Sequence, residues 1–122
     1  MKTITIILTD GPYISEYAEM ACKIASEALN ISRVNIFLYL DAVHAARQGQ
    51  KPSQFEEMGR KLQDLAERGA RVRACARCAA ARGYQPDREG ICPDYCRGIR
   101  ITSLYDLARM IEESDRVISL SG

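Results

Sequence analysis

Residues 69–83 read Gly-Ala-Arg-Val-Arg-Ala-Cys-Ala-Arg-Cys-Ala-Ala-Ala-Arg-Gly, and the way this stretch divides decides the fold. Arg71–Cys75 predicts a short strand. Ala76–Arg82 predicts a helical turn or two, with Gly83 placed to cap its C-terminus. Cys75 therefore falls at a strand-to-helix junction. The same alternation continues upstream, where Val34–Leu40 (VNIFLYL) predicts a buried strand. Asp41–Gln50 follows as a polar connection that holds the sole histidine, His44. Ser53 and Glu56 have capping-box spacing ahead of the apolar positions Phe55, Met58, Leu62 and Leu65, a helix that Gly69 ends.

Thr3–Thr9 (TITIILT) is a β-branched run, as expected of a strand buried on both faces. It stops at Asp10-Gly11-Pro12, a turn whose proline suits the first position of a helix. Ile14, Tyr17, Ala18, Ala21, Cys22, Ala25, Ala28 and Leu29 then recur at helical spacing. Downstream, Tyr84–Gly98 has two Pro, two Gly and little periodicity. Loops of this length in compact domains are usually functional or mobile. Ile99–Thr102 predicts a fourth strand and Ser103 with Asp106 a second capping pair. Leu104, Leu107, Ala108 and Ile111 give a last helical face, and Val117–Leu120 predicts a fifth strand.

Strands alternating with helices imply right-handed crossovers and a parallel sheet covered on both sides. The expected architecture is a three-layer α/β/α sandwich with a five-stranded, mainly parallel sheet, as one domain over residues 1–122. Ligands in such folds bind beyond the carboxyl ends of the strands. That rule points to residues 10–13, 41–47, 75–78 and the 84–98 loop.

Composition narrows the function class. The 122 residues are 47% apolar but only 7% aromatic, without Trp, so the core is aliphatic. No apolar run approaches the ~20 residues of a membrane span, and Ile4–Leu8 is too short for a signal-peptide core. A cytoplasmic protein with no membrane partner is expected. The net charge of +1 argues against a general nucleic-acid binder, and no direct nucleic-acid partner is expected. The balance is uneven, however. Residues 68–100 carry eight Arg against three acids and include four of the five cysteines.

Cys22 lies in the apolar stripe of the first helix and reads as an inert core thiol. Cys75 reads differently. At the start of a helix, peptide dipoles and nearby Arg73 or Arg77 favour thiolate over thiol. Thiolate is the form that attacks sulfur.

The order of these segments resembles the DsrE/TusD-like sulfur-relay family. The resemblance rests on Thr9-Asp10-Gly11-Pro12-Tyr13 after the first strand and Asp41-Ala42-Val43-His44 after the second. It continues through Gly69–Cys75 leading into Ala79-Ala80-Ala81-Arg82-Gly83, then Ser103–Leu107 and Asp115–Ile118. It implies a small cytoplasmic α/β protein that assembles as a trimer or hexamer, or with related DsrE-like subunits. It implies a sulfurtransferase activity in which Cys75 carries sulfane sulfur as a persulfide between donor and acceptor carrier proteins. Gly11, Pro12, Tyr13 and His44 become candidate pocket-lining residues. No cofactor is required by such displacements. Phe37, Tyr39 and Tyr95 are read as apolar surface in keeping with an oligomer, and the Arg-rich block as a docking field for partners.

The chain departs from many relatives in its additional cysteines. Cys75-x-x-Cys78 precedes Cys92-x-x-x-Cys96 by thirteen residues. Three readings stay open. Cys78, Cys92 and Cys96 are auxiliary thiols that resolve or receive the persulfide. Cys75 and Cys78 form a redox pair. Alternatively, Cys75, Cys78, Cys92 and Cys96 bind zinc, with an iron–sulfur cluster as a variant, in a structural or sensing protein.

Overall fold

The computed structural model describes residues 1–122. In chain order it holds strand β1 (Lys2–Leu8), helix α1 (Tyr17–Ala28), β2 (Ser32–Leu38), a 3-10 segment (Leu40–Ala46) and α2 (Met58–Glu67). There follow β3 (Arg71–Cys75), the short helix α3 (Ala76–Ala81), β4 (Ile99–Thr102), α4 (Leu104–Glu113) and β5 (Arg116–Leu120). The strands form one sheet in the order β4-β3-β2-β1-β5, and every pairing is parallel.

This order follows from the crossover rule. The steps β1 to β2, β2 to β3 and β3 to β4 all move one way, so α1 and α2 share a face of the sheet. The return from β4 to β5 moves the other way, so α4 crosses the opposite face. Ile6, Leu8, Val34, Ile36, Leu38, Val72 and Ala74 pack toward the first face and are fully buried. Residues two apart share a face of a strand, so Thr5, Asn35, Phe37, Arg71, Arg73 and Arg100 point to the second.

A short polar chain fastens α4 there. Asn35 Nδ2 donates to Thr5 Oγ1 at 3.2 Å, and the Thr5 hydroxyl also bonds Ser114 Oγ at 2.5 Å. Ser114 Oγ in turn donates to the Met110 carbonyl at 2.5 Å. α4 covers the second face only in part. Arg71 and Arg100 stay exposed and Arg73 half-buried, and none of the three has a carboxylate within 4.0 Å. Burial, then the charges of Arg71 and Arg100, makes the Arg73 guanidinium easier to deprotonate than usual.

Several local expectations are corrected. Pro12 does not open a helix: residues 10–16 form a turn in which Ser15 Oγ and the Gly122 amide both donate to the Asp10 carboxylate, and α1 starts at Tyr17. The two hydrogen bonds lower the Asp10 pKa. Asp41–Gln50 is not plain connection, since most of it joins the 3-10 segment with Ala42, Val43, Ala45 and Ala46 buried. Ser53 caps nothing, because α2 begins at Met58. Ser103 does occupy the N-cap of α4, but its hydroxyl makes no cap bond, and Asp106 bonds Thr102 instead. Phe37 and Tyr95 are core residues rather than apolar surface, and Tyr39 is half-buried. The exposed apolar side chains lie elsewhere, at Leu104, Tyr105 and Ile111 of α4 among other positions.

The 84–98 loop is tied down at several points. The Cys96 amide donates to the Ala46 carbonyl at 2.7 Å, and Gln48 Nε2 donates to the Tyr95 carbonyl at 2.6 Å. At its tip the Gly90 carbonyl accepts the Ile101 amide at 2.8 Å. Gly90 has φ +83°, and a Cβ there would lie 2.5 Å from the Ile101 carbonyl oxygen. Gly90→Ala is therefore expected to lower unfolding free energy by about 1–3 kcal/mol, measured by chemical denaturation.

Candidate functional site

β2 and β3 run side by side with Leu38 opposite Ala74. The chain leaves both strands at the same edge of the sheet, at Tyr39-Leu40 and at Cys75-Ala76. Cys75 ends β3 and is the N-cap of α3, with extended backbone (φ −67°, ψ 126°). Three residues on, Cys78 lies one turn into α3, which sets the two thiols beside one another at the start of the helix.

A cysteine pair at the carboxyl end of β3 is where the sequence pointed, and both members are buried. Cys75 is only 1% exposed and Cys78 8%. The strand-end position explains the burial, since the 3-10 segment and α3 both pack on the end of β3. Cys78 Sγ accepts the Leu40 amide at 3.2 Å. Leu40 has φ +55°, a left-handed conformation uncommon for a side chain of this size. Arg82 Nη1 donates to the Cys78 carbonyl at 3.0 Å, and Arg82 Nε pairs with Asp41 at 2.8 Å. The Cys78 pKa is raised: burial dominates, the neighbouring Cys75 thiol adds to it, and the Leu40 amide and Arg82 oppose it.

Around this pair lie three aromatic rings. His44 Nδ1 shares a 2.7 Å hydrogen bond with the Tyr84 hydroxyl, and the two rings meet edge to face at 5.5 Å. Tyr84 packs on Tyr95 with ring centres 5.0 Å apart, and Tyr95 donates to the Val43 carbonyl at 2.7 Å. Burial drives the Tyr95 pKa up, with further upward pushes from Tyr84, Cys92, Cys75 and Cys78. Tyr95 is thus the group that links the loop cysteine Cys92 to the strand-end pair.

The four-cysteine zinc site is not formed. A Cβ on Gly59 would lie 2.8 Å from Cys96 Sγ and 2.9 Å from the Arg47 carbonyl, so Cys96 is held against α2. Burial, followed by the charge of Glu57, raises its pKa. Nowhere do three His, Cys, Asp or Glu side chains converge with the spacing of metal ligands. Cys96 is instead fixed by its amide on Ala46 and by the contact of its sulfur with Gly59, while Tyr95, between it and Cys92, is bonded to Val43. All five cysteines are free thiols.

The other candidates are dispersed. A Cβ on Gly11 would touch the Asp41 carbonyl at 3.3 Å, which places this turn beside the start of the 3-10 segment. Tyr13 turns away: its hydroxyl donates to Gln50 Oε1 and accepts the Met58 amide at 3.0 Å, and its ring meets Phe55. Pro12, between them, is half-buried. Leu40, Tyr95 and Arg82 were not read as site residues. The sequence signals for Arg82 were its place in the Arg-rich block and in the Ala79–Gly83 motif, and nothing in the sequence reports the backbone twist at Leu40.

The DsrE/DsrF-like family model matches residues 2–120. This chain belongs to the DsrE/DsrF-like family. It is 34% identical to an uncharacterized protein of Methanopyrus kandleri over 97% of this chain and 93% of that protein. It is also 34% identical to an uncharacterized protein of Methanocaldococcus jannaschii over 94% of this chain and 96% of that protein. The crystal structure of the YchN protein from Escherichia coli superposes with a TM-score of 0.82 at 27% identity, covering 98% of this chain and all of YchN. The α/β architecture with its five-stranded parallel sheet is therefore shared with a solved DsrE-like structure. No helix is long and apolar enough to cross a membrane.

Cys22 stands apart from this site, buried on α1, and burial pushes its thiol up to about 11 from 9.0. Below pH 9 the thiol is neutral in both folded and unfolded chains. As pH rises from 9 to 11 the unfolded chain ionises first, so stability is lost by about 2–3 kcal/mol over that window. Comparing the pH dependence of unfolding in the wild type and in Cys22→Ala is expected to show this component only in the wild type.

Proposed function

We propose that this DsrE/DsrF-like protein is a sulfur-relay carrier that accepts sulfane sulfur on Cys75 as a persulfide and passes it to an acceptor thiol. The observation that carries this reading is the pair of free cysteines one helical turn apart at the carboxyl end of β3, in a chain of this family. The chemistry is two displacements at sulfur. Cys75 thiolate takes the terminal sulfur of a donor persulfide and releases the donor as thiolate. An acceptor thiolate then takes that sulfur and releases Cys75. Neither step changes the oxidation level of the system, so no organic cofactor is needed.

The partners in this reading are thiol-bearing donor and acceptor proteins of the cytoplasm, with the chain working as a homo-oligomer or beside related subunits. Arg71, Arg73 and Arg100 supply a docking field for acidic partner surfaces, since they lie on the same side of the sheet and none is neutralised by a carboxylate. The near-complete burial of Cys75 favours one competing reading, a non-catalytic DsrE-like subunit.

Anaerobic incubation with a persulfide-loaded donor protein separates the two. The carrier reading expects one sulfur atom's mass on the peptide bearing Cys75, and Cys75→Ser is expected to keep its fold while that peptide gains no sulfur. A wild-type protein that gains no sulfur on any cysteine would sink the relay and leave the subunit reading.

A further inference from the structure

Of the cysteines outside the assigned role, three lie outside the turn that joins β3 to α3. Cys22 is on α1, Cys96 is wedged against Gly59, and Cys92 is buried in the loop beside Tyr95. Cys78 is arranged otherwise. It stands one helical turn from Cys75 and is the less deeply buried of the two, at 8% against 1% exposure. Its sulfur receives a backbone amide at 3.2 Å, from Leu40 in a left-handed conformation. Arg82, fixed by Asp41 at 2.8 Å and by the Cys78 carbonyl at 3.0 Å, holds a positive charge beside it. The amide at the sulfur and the guanidinium nearby oppose the upward push of burial on the Cys78 thiol, and both stabilise negative charge developing on that sulfur. A leaving group needs the same stabilisation in thiol exchange.

Building on the relay reading, we propose that Cys78 is a second sulfur-bearing catalytic residue, the outer thiol that takes sulfane sulfur from the donor and hands it to Cys75 within one chain. In the first step Cys78 thiolate attacks the terminal sulfur of the donor persulfide. A bond forms between Cys78 Sγ and that sulfur, the donor's S–S bond breaks, and the donor leaves as thiolate with the electron pair. In the second step Cys75 Sγ attacks the outer sulfur of the Cys78 persulfide. The new bond is from Cys75 Sγ to sulfur, the bond from Cys78 Sγ to sulfur breaks, and Cys78 departs with the electron pair. The proton on Cys75 passes to the departing Cys78 sulfur. Each step exchanges one S–S bond for another, so nothing is oxidised or reduced. Delivery to an acceptor runs the same steps in reverse. The arrangement answers the burial of Cys75, because an external thiol has only to reach Cys78.

Arg77 lies between the two cysteines, so trypsin places them on separate peptides and the position of the sulfur can be read directly by mass spectrometry. The full-length chain is loaded anaerobically with a persulfide-bearing donor protein. Cys75→Ser is expected to retain sulfur on Cys78. Cys78→Ser, with Cys78→Ala as a second variant should serine perturb folding, is expected to load Cys75 from the protein donor about tenfold more slowly or worse. Loading of Cys75 by inorganic polysulfide, small enough to enter by itself, is expected to survive in the same variant. Equal loading of Cys75 from the protein donor with and without Cys78 overturns the proposal, as does a Cys75→Ser protein with no sulfur on Cys78 when the wild type loads. Absence of sulfur from both positions in the wild type overturns the relay itself, a distinct result.

Discussion

The parallel pairing of β3 with β2 sets the position of every chemically active group in this protein. With Leu38 opposite Ala74, the chain leaves both strands at one level of the sheet. The Leu40 amide therefore meets the first turn of α3, and Cys78 Sγ is the atom it finds. A shift of one residue in this register would turn Arg73 and Cys75 to the opposite face and place Val72 and Ala74 outside the core. The burial of Ile36, Leu38, Val72 and Ala74 against α1 and α2 holds the register in place.

The second face of the sheet is built on different terms. One helix has to cross it from β4 to β5, and it is fastened by the Thr5, Asn35 and Ser114 bonds more than by apolar contact, for Met110 is its only buried residue. Coverage is therefore partial. The uncovered part holds three arginines, two of them, Arg73 and Arg100, directly opposite one another in register. Like charges facing across strands are unfavourable, and the lowered pKa of Arg73 records that repulsion together with its partial burial. A sheet face arranged in this way is complementary to anionic surfaces.

Strand and helix identity were legible because each strand is a short apolar run rich in branched residues and each longer helix has a stripe at helical spacing. The inert role of Cys22 was legible for the same reason, since it falls on the stripe of α1. The special position of Cys75 was legible from the strand-to-helix switch, and the family from the order of segments. The reading failed where a residue's surroundings come from distant parts of the chain. Phe37 and Tyr95 pass for surface aromatics in one dimension, but Phe37 is fully buried on β2 and Tyr95 is bonded to Val43 of the 3-10 segment. The Ser53–Glu56 pair has capping spacing, yet helix α2 starts later, at Met58.

The sequence by itself determined the alternation of strands and helices, the aliphatic core and the place of a cysteine at the end of β3, because these depend on local periodicity and composition. Tertiary structure alone decided which cysteines meet. Spacing in the chain treats Cys75, Cys78, Cys92 and Cys96 as two similar pairs. Folding sets the first pair one helical turn apart at the end of β3 and fixes the second in the loop, through the hydrogen bonds of Tyr95 to Val43 and of Cys96 to Ala46. It also decided that both thiols at the strand end are buried, Cys78 slightly less so than Cys75. That outcome depends on how the 3-10 segment and α3 pack over the sheet edge, a contact between segments distant in sequence that no local pattern encodes.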